Sequence, residues 1–361
     1  MGIKGLLPLL GDIREDVHLS EVSGKTYAID GYSWLHKGAW GCAEQLAKGD
    51  KTVKYVEYFM GRIRLLRYHG VEPFVVFDGG PLPAKKGTEE ERSRNRQEAL
   101  IKARDLLAKG KAAQAREYYV KALDITPEHA LQVIKALKSE DVQYVVAPYE
   151  ADAQMAYLEN VALVDGIITE DSDLLVFGCR DVLFKLDTDG NCKRVRREML
   201  TRCKEASFVG WGEKEFRWMA MLSGCDYLPS ISGMGLKTAH RLLRQWKTVD
   251  RVLQHVRREG KMKVPNRYQE EFETAELAFV YQRVFCPLER KLVHLHAKTW
   301  DVEWSEAKEA YVGGDLDAKV AQGIATGEIC PITLEPLKDI SPWYKPGEIK
   351  KVCAGHHVSY H

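Results

Sequence analysis

The stretch Gly166-Ile167-Ile168-Thr169-Glu170-Asp171-Ser172-Asp173 decides the fold. A short β-branched run reads as a strand, and it leads into two acids spaced i, i+2. The same layout recurs along the chain. Tyr27-Ala28-Ile29 ends in Asp30, Phe74-Val75-Val76-Phe77 ends in Asp78, and the apolar run 142–147 is followed by Glu150 and Asp152. Residues 182–186 supply another strand-like run. Helical stretches lie between: one holding Trp34, Leu35, Ala39 and Leu46, and others over 53–68, 111–123, 127–137 and 151–160. This alternation predicts an α/β fold: a doubly wound, mainly parallel sheet flanked by helices. The C-terminal ends of parallel strands share one edge, where ligands bind. Acids far apart in sequence therefore meet in space.

After Arg196 the pattern turns helical, over 213–222, 236–246 and 267–284. The Gly-rich turn Ser230-Ile231-Ser232-Gly233-Met234-Gly235 separates the first two. Beyond Pro287 the signal weakens, with one short helix over 316–327. The 361 residues, 45% of them hydrophobic, suffice for one large domain or two modest ones. A net charge of +1 does not itself point to nucleic acid, but an acidic pocket can mask basic surfaces elsewhere. The 8 Cys are scattered without a CxxC pair and read as reduced thiols of an intracellular protein. No stretch is apolar enough to span a membrane. The start Met1-Gly2-Ile3-Lys4-Gly5-Leu6 lacks the layout of a secretory signal, and Leu6 stands where a myristoylation signal wants Ser or Thr.

A single strand-end Asp commonly caps the helix that follows. Acids from at least three β-α units, two of them doubled, are hard to explain as caps alone. Unpaired, they would repel by roughly 4 kcal/mol per pair at about 4 Å and an effective dielectric of about 20. Hard divalent cations bound by oxygen ligands resolve that repulsion. Two such ions about 3.5–4 Å apart would clamp a phosphodiester. A phosphatase with a DxD nucleophile is the rival chemistry, but Leu174-Leu175 follows Asp173 where that motif wants Thr or Val.

Two segments are basic. The stretch after Asp78 carries Lys85, Lys86, Arg92, Arg94, Arg96, Lys102 and Arg104, with Arg92 and Arg96 on one helix face. A solvated helix is the bland reading. Its exit from the loop after Asp78 lets it close over a phosphate that a bare acidic pocket would repel. The second segment runs from Lys237 to Lys263 and follows Gly233-Met234-Gly235. Gly-x-Gly at a helix start exposes backbone N–H groups to a phosphate, which is sequence-independent contact. Tyr32 and His36 lie four apart after Asp30, suited to core packing or to stacking a base.

Together these residues resemble the flap-endonuclease superfamily of structure-specific, metal-dependent 5′ nucleases. The likeness rests on Met1-Gly2-Ile3-Lys4-Gly5-Leu6, Val76-Phe77-Asp78-Gly79, Ala147-Pro148-Tyr149-Glu150-Ala151-Asp152-Ala153-Gln154, Thr169-Glu170-Asp171-Ser172-Asp173 and Ser223-Gly224-Cys225-Asp226-Tyr227. It covers about residues 1–300 and thins through about 330. Within the superfamily, Trp34-Leu35-His36-Lys37-Gly38-Ala39, Leu82-Pro83-Ala84-Lys85-Lys86, Leu174-Leu175-Val176-Phe177-Gly178-Cys179 and Val284-Phe285-Cys286-Pro287 are similar to the exonuclease branch. So is the lack of an evident sliding-clamp motif.

The resemblance implies a 5′→3′ DNA exonuclease with 5′-flap endonuclease activity, using two Mg²⁺ or Mn²⁺ ions held by Asp30, Asp78, Glu150, Asp152, Asp171, Asp173 and Asp226. Lys85 and Arg92, with Arg96 nearby, belong to a helical arch and would contact the scissile phosphate. Tyr32 and His36 would stack on the unpaired terminal nucleotide. Gly233, Gly235 and Lys237 would form a helix-two-turn-helix on duplex DNA. There K⁺ would sit at the Ser223 hydroxyl and carbonyls near Ser230 and Met234. The implied layout is a nuclease core over 1–200 with the arch at about 80–137, the duplex-binding region over 201–290, and an extension over 291–361. The implied partner is double-stranded DNA with a free, nicked, gapped or flapped 5′ end, met by a nuclear monomer. Mismatch-repair proteins would bind through a tail beyond His361. A strict flap endonuclease and an inactive DNA-structure-binding factor are the alternatives. Cys330, Cys353, His356 and His357 fit no standard zinc spacing.

Overall fold

The computed structural model describes residues 2–300 and 302–346. Its centre is a seven-stranded sheet with the order β1-β7-β6-β5-β2-β3-β4. The strands are β1 (Glu15–His18), β2 (Thr26–Asp30), β3 (Glu72–Phe77), β4 (Gln143–Val146), β5 (Gly166–Ile168), β6 (Asp181–Phe184) and β7 (Asn191–Arg196). β2 to β6 pair in parallel, and β7 and β1 complete one side by antiparallel pairing. Alternate residues feed two cores. Ala28, Phe74, Val76, Ile167 and Val182 point to one face, packed by the helices Ala151–Asn160 and Glu213–Leu222. Tyr27, Ile29, Val75, Phe77 and Ile168 point to the other, packed by Gly31–Ala39, Lys54–Tyr68 and Pro127–Ser139. Burial on both faces is why these strands read as continuous apolar runs.

The expected doubly wound, mainly parallel sheet is present. β1 and β7 escape a hydrophobic reading because they are charged. Glu15 lies opposite Arg194 and Asp16 opposite Lys193, so the pairing carries opposite charges across strands. Arg196 also holds Glu15 at 2.7 Å.

The basic stretch after Asp78 forms an antiparallel helical hairpin, Lys86–Ala108 and Ala112–Lys121, turned at Gly110 with φ of 73°. Ala99, Ala103, Ala115 and Tyr119 are its buried residues. Later come the helices Leu236–Trp246, Val249–Glu259 and Tyr268–Tyr281, then the hairpin β8 (Arg283–Cys286) and β9 (Lys291–His294). The helix expected over 267–284 stops at Tyr281, and Arg283 and Val284 belong to β8. The helix Ala318–Ala325 lies against β4. Tyr144 donates to the Thr326 carbonyl at 2.9 Å, and Gln132 and Lys135 each reach Asp339 at 2.9 Å. Cys330 is buried, while Cys353, His356 and His357 lie outside the described residues.

Gly31 shows how tightly the β2 end is packed. A Cβ there would meet the Phe77 ring at 2.7 Å and the Val76 carbonyl at 2.8 Å, whereas nothing lies within 4 Å of a Cβ on Gly61. Gly31→Ala should destabilise the protein by about 1–3 kcal/mol through overpacking. Gly61→Ala, inside the helix Lys54–Tyr68, should stabilise it by about 0.5–1 kcal/mol. Urea unfolding of both variants measures the contrast.

Candidate active site

The order β5-β2-β3 places a topological switch point between β2 and β5, because the chain runs outward from β2 in both directions. Asp30 is the last residue of β2, Asp78 follows β3, Glu150 follows β4, and Asp171 follows β5. Asp152 rides the first turn of the helix Ala151–Asn160, and Asp173 opens a short helix after Asp171.

Most of these acids also bind backbone. Asp30 Oδ1 accepts the Ser33 N–H at 2.9 Å, and Asp78 Oδ1 accepts the Ala151 N–H at 2.8 Å. Asp171 Oδ1 accepts the Asp173 N–H at 2.9 Å, and Asp173 Oδ1 accepts the Ile3 N–H at 2.8 Å. Capping and convergence are therefore compatible. In each, one oxygen fixes the side chain by a backbone bond.

Burial and mutual charge perturb the acids together. Burial, then Asp78 and Asp171, push Asp30 up to about 7. Burial, then Asp171 and Asp226, push Asp173 up to about 8. Asp152 is driven well above the carboxylate range by burial and by Asp171. Asp78 and Asp171 are raised mainly by burial. Asp226 goes the other way. Burial pushes it up, but Lys85 and Arg92 outweigh that and hold it below its ordinary value.

Lys85 is the internal counter-ion. Its Nζ lies 2.5 Å from Glu150 and 2.9 Å from Asp226. Burial opposes its charge, yet Glu150, Asp226 and Asp152 keep the ammonium protonated well beyond its usual range. Arg92 adds a bond to Asp226 at 3.0 Å, and Thr88 donates to the Asp226 carbonyl at 2.9 Å. The helix Lys86–Ala108 is thus pinned by its first turns to the Asp226 loop, which brings the acid lying outside the sheet pattern into the cluster.

Among the described residues, no three His, Cys, Asp or Glu side chains are yet gathered tightly enough to hold an ion. The donor set still fits hard divalent cations. It consists of carboxylate oxygens, and several are driven toward protonation by burial and mutual repulsion that a cation would relieve.

The other predicted residues are more dispersed. Tyr32 is partly buried, edge-on to Phe77 with centroids 6.3 Å apart. His36 is lowered by burial and by Arg96, and Arg96 lies 3.4 Å from Asp124. Ser223 Oγ donates to the Ala220 carbonyl at 2.7 Å, and Ser230 packs beside Gly224. The Met234 side chain belongs to the core. Gly233 is left-handed with φ of 87°, and Gly235 precedes the helix Leu236–Trp246 without a side-chain cap. Lys237 is exposed and pairs with Glu205 at 2.6 Å. Sequence reasoning missed Thr88, Tyr227 and Gln282, the last two of which hydrogen-bond Glu150. Tyr227 stood inside a quoted motif, whereas Gln282 carried no local signal.

Residues 1–99 match the XPG N-terminal domain and residues 141–226 the XPG I-region. The two stretches contain all seven acids. Exonuclease 1 of Arabidopsis thaliana is 44% identical over 94% of this chain and 45% of its own length. The DNA damage-inducible protein DIN7 of Saccharomyces cerevisiae is 36% identical over 92% of this chain and 83% of its own length. The chain belongs to the XPG/flap-endonuclease superfamily. The superfamily fold is seen again in the catalytic core of Rad2 in complex with DNA substrate. That structure matches with a TM-score of 0.56 over 88% of each chain at 20% identity. The chain spans about half the length of the exonuclease 1 relatives it matches.

Raised carboxyl pKa values mean that the folded chain binds protons the unfolded chain has released. The corresponding stability is lost as pH rises from about 4 through the folded values near 7 and 8. In EDTA the melting temperature should therefore fall between pH 6 and 8.5. Mg²⁺ should restore it, more strongly at the higher pH. Asp173→Asn keeps the Oδ1 acceptor and removes the charge, so it should raise metal-free stability at pH 8.5 by about 2 kcal/mol and flatten the pH slope. Calorimetric melting across pH checks all three outcomes.

Proposed function

We propose that the chain is a metal-dependent 5′→3′ double-stranded DNA exonuclease with additional 5′-flap endonuclease activity. The observation that carries this reading is the set of buried or half-buried acids that four parallel strands deliver to one sheet edge, where Lys85 pairs with Glu150 and, with Arg92, with Asp226. The relatives named exonuclease 1 and the DNA-bound Rad2 core support it. Asp30, Asp78, Glu150, Asp152, Asp171, Asp173 and Asp226 would hold two Mg²⁺ or Mn²⁺ ions. When bound, such ions neutralise phosphate charge and activate water.

The chain's own residues do the positioning. Lys85 and Arg92 exchange carboxylate partners for the incoming phosphate, an anion that suits the same charge-assisted bonds. Their departure from Glu150 and Asp226 would free those two acids at the moment substrate arrives. Tyr32 and His36 offer stacking faces for the unpaired terminal nucleotide, with Arg96 alongside. The uncapped start of the helix Leu236–Trp246, with Gly233, Gly235 and Lys237, would bind a duplex phosphate. K⁺ would bridge there through Ser223 and carbonyls near Ser230 and Met234. On this reading residues 1–200 form the nuclease core, 201–290 the duplex-binding region and 291–361 an extension. The setting is nuclear DNA repair and recombination, mismatch repair included, with the protein acting as a monomer.

Digestion of 5′-labelled and 3′-labelled duplex with Mg²⁺ or EDTA tests the proposal. Label should leave from the 5′ end first, and only with the metal. Preference for a flap with no attack on recessed duplex would identify a strict flap endonuclease, and no cleavage at all would identify a binding factor. Asp173→Ala should bind duplex and lose cleavage. Lys85→Ala should lower kcat by about 100-fold or more with little change in duplex affinity.

A further inference from the structure

Glu150 is gripped from three sides, and one grip comes from a residue far outside the acidic motifs. Lys85 takes Oε1 at 2.5 Å. Tyr227 Oη donates to Oε2 at 2.5 Å, and Gln282 Nε2 donates to the same oxygen at 3.0 Å. Gln282 is 0% exposed and sits between the helix Tyr268–Tyr281 and β8. Its Nε2 also lies 3.3 Å from the Ala278 carbonyl and 3.4 Å from Tyr227 Oη.

The other end of this amide is informative. Gln282 Oε1 is buried and has no hydrogen-bond partner. A buried unpaired acceptor is unfavourable, and in a side chain with no other constraint the amide would turn to relieve it. Here turning would set Oε1 against the Glu150 carboxylate, two acceptors facing each other. The network therefore assigns the donor to Glu150 and leaves the acceptor orphaned.

A second buried glutamine locks the same junction. Gln154, on the helix that begins after Glu150, accepts the Phe285 N–H at 2.7 Å and donates to the Phe285 carbonyl at 2.8 Å. Glu150 and the helix that follows it are thus fastened to the Gln282–Phe285 segment at two points, Glu150 itself and Gln154.

We infer that Gln282 and Tyr227 are positioning residues for Glu150. They immobilise Oε2, so that Oε1 is the oxygen presented to a cation, which competes there with Lys85. The inference rests on the reading of the acids as a divalent-cation site. Hydrogen-bond partners of metal-ligating groups typically set affinity by about 10–100-fold.

Mn²⁺ binding to the DNA-free protein, by titration calorimetry, tests this without turnover. Gln282→Met keeps the side-chain length and drops both polar atoms, and Tyr227→Phe removes a single hydroxyl. Each should weaken Mn²⁺ binding by about 10-fold while the melting temperature in EDTA stays near wild type. The double variant should lose less than the product of the two, because both groups serve one oxygen. Wild-type Mn²⁺ affinity in both single variants, with or without a lowered melting temperature, overturns the inference. If that occurs while Asp173→Ala abolishes binding, the cation-site reading stands and only the inference falls. Absence of Mn²⁺ binding by the wild-type protein overturns both.

Discussion

Lys85 sets its ammonium 2.5 Å from Glu150 and 2.9 Å from Asp226, at the edge where four parallel strands deliver their acids. The rest of the site depends on this contact. It joins an acid after β4 to an acid in the loop beyond the helix Glu213–Leu222, which no strand pairing brings together. It also fixes where the helical hairpin begins, since Thr88 and Arg92 reach the same loop from its first turns. A single charge thereby sets the geometry between the sheet, the hairpin and the helical region. It cannot neutralise the whole cluster. Asp30, Asp152 and Asp173 remain strained by burial and by neighbouring acids, Asp171 among them in each case, so the site is built around charge still to be supplied.

The capping role and the cluster role of the acids reinforce one another. An Asp that accepts a backbone N–H with one oxygen has lost its rotamer freedom before any ligand arrives. Asp30 on Ser33, Asp78 on Ala151 and Asp173 on Ile3 are each held this way. Backbone bonds made during folding thus preorganise the free oxygens, which reduces the entropy that binding must later remove.

The central strands were legible because both faces are buried, so Ile29, Val76 and Ile167 stand in unbroken apolar runs. The acids at their ends were legible because a change from apolar to charged at a strand terminus is abrupt. β1 and β7 were hidden because their pairing relies on cross-strand charge rather than apolar patterning. Asp226 was placed by motif likeness alone, since the sequence between it and the sheet is helical. Gln282 was invisible for a different reason. Its importance lies in a contact with Glu150 across a separation of 132 residues, and no local pattern encodes a buried amide that faces one particular carboxylate.

The last described elements have a consequence for synthesis. Among the described residues β4 has no strand beyond it, and the helix Ala318–Ala325 lies against it, with Tyr144 bonded to Thr326. On a ribosome, β2 to β7 emerge more than a hundred residues before that cover. During the interval β4 presents an unguarded line of backbone donors and acceptors, the feature that invites one chain to pair with another. A sheet that assembled in that interval would have an open margin. The order of emergence makes that margin the place where crowded, unfinished copies would adhere.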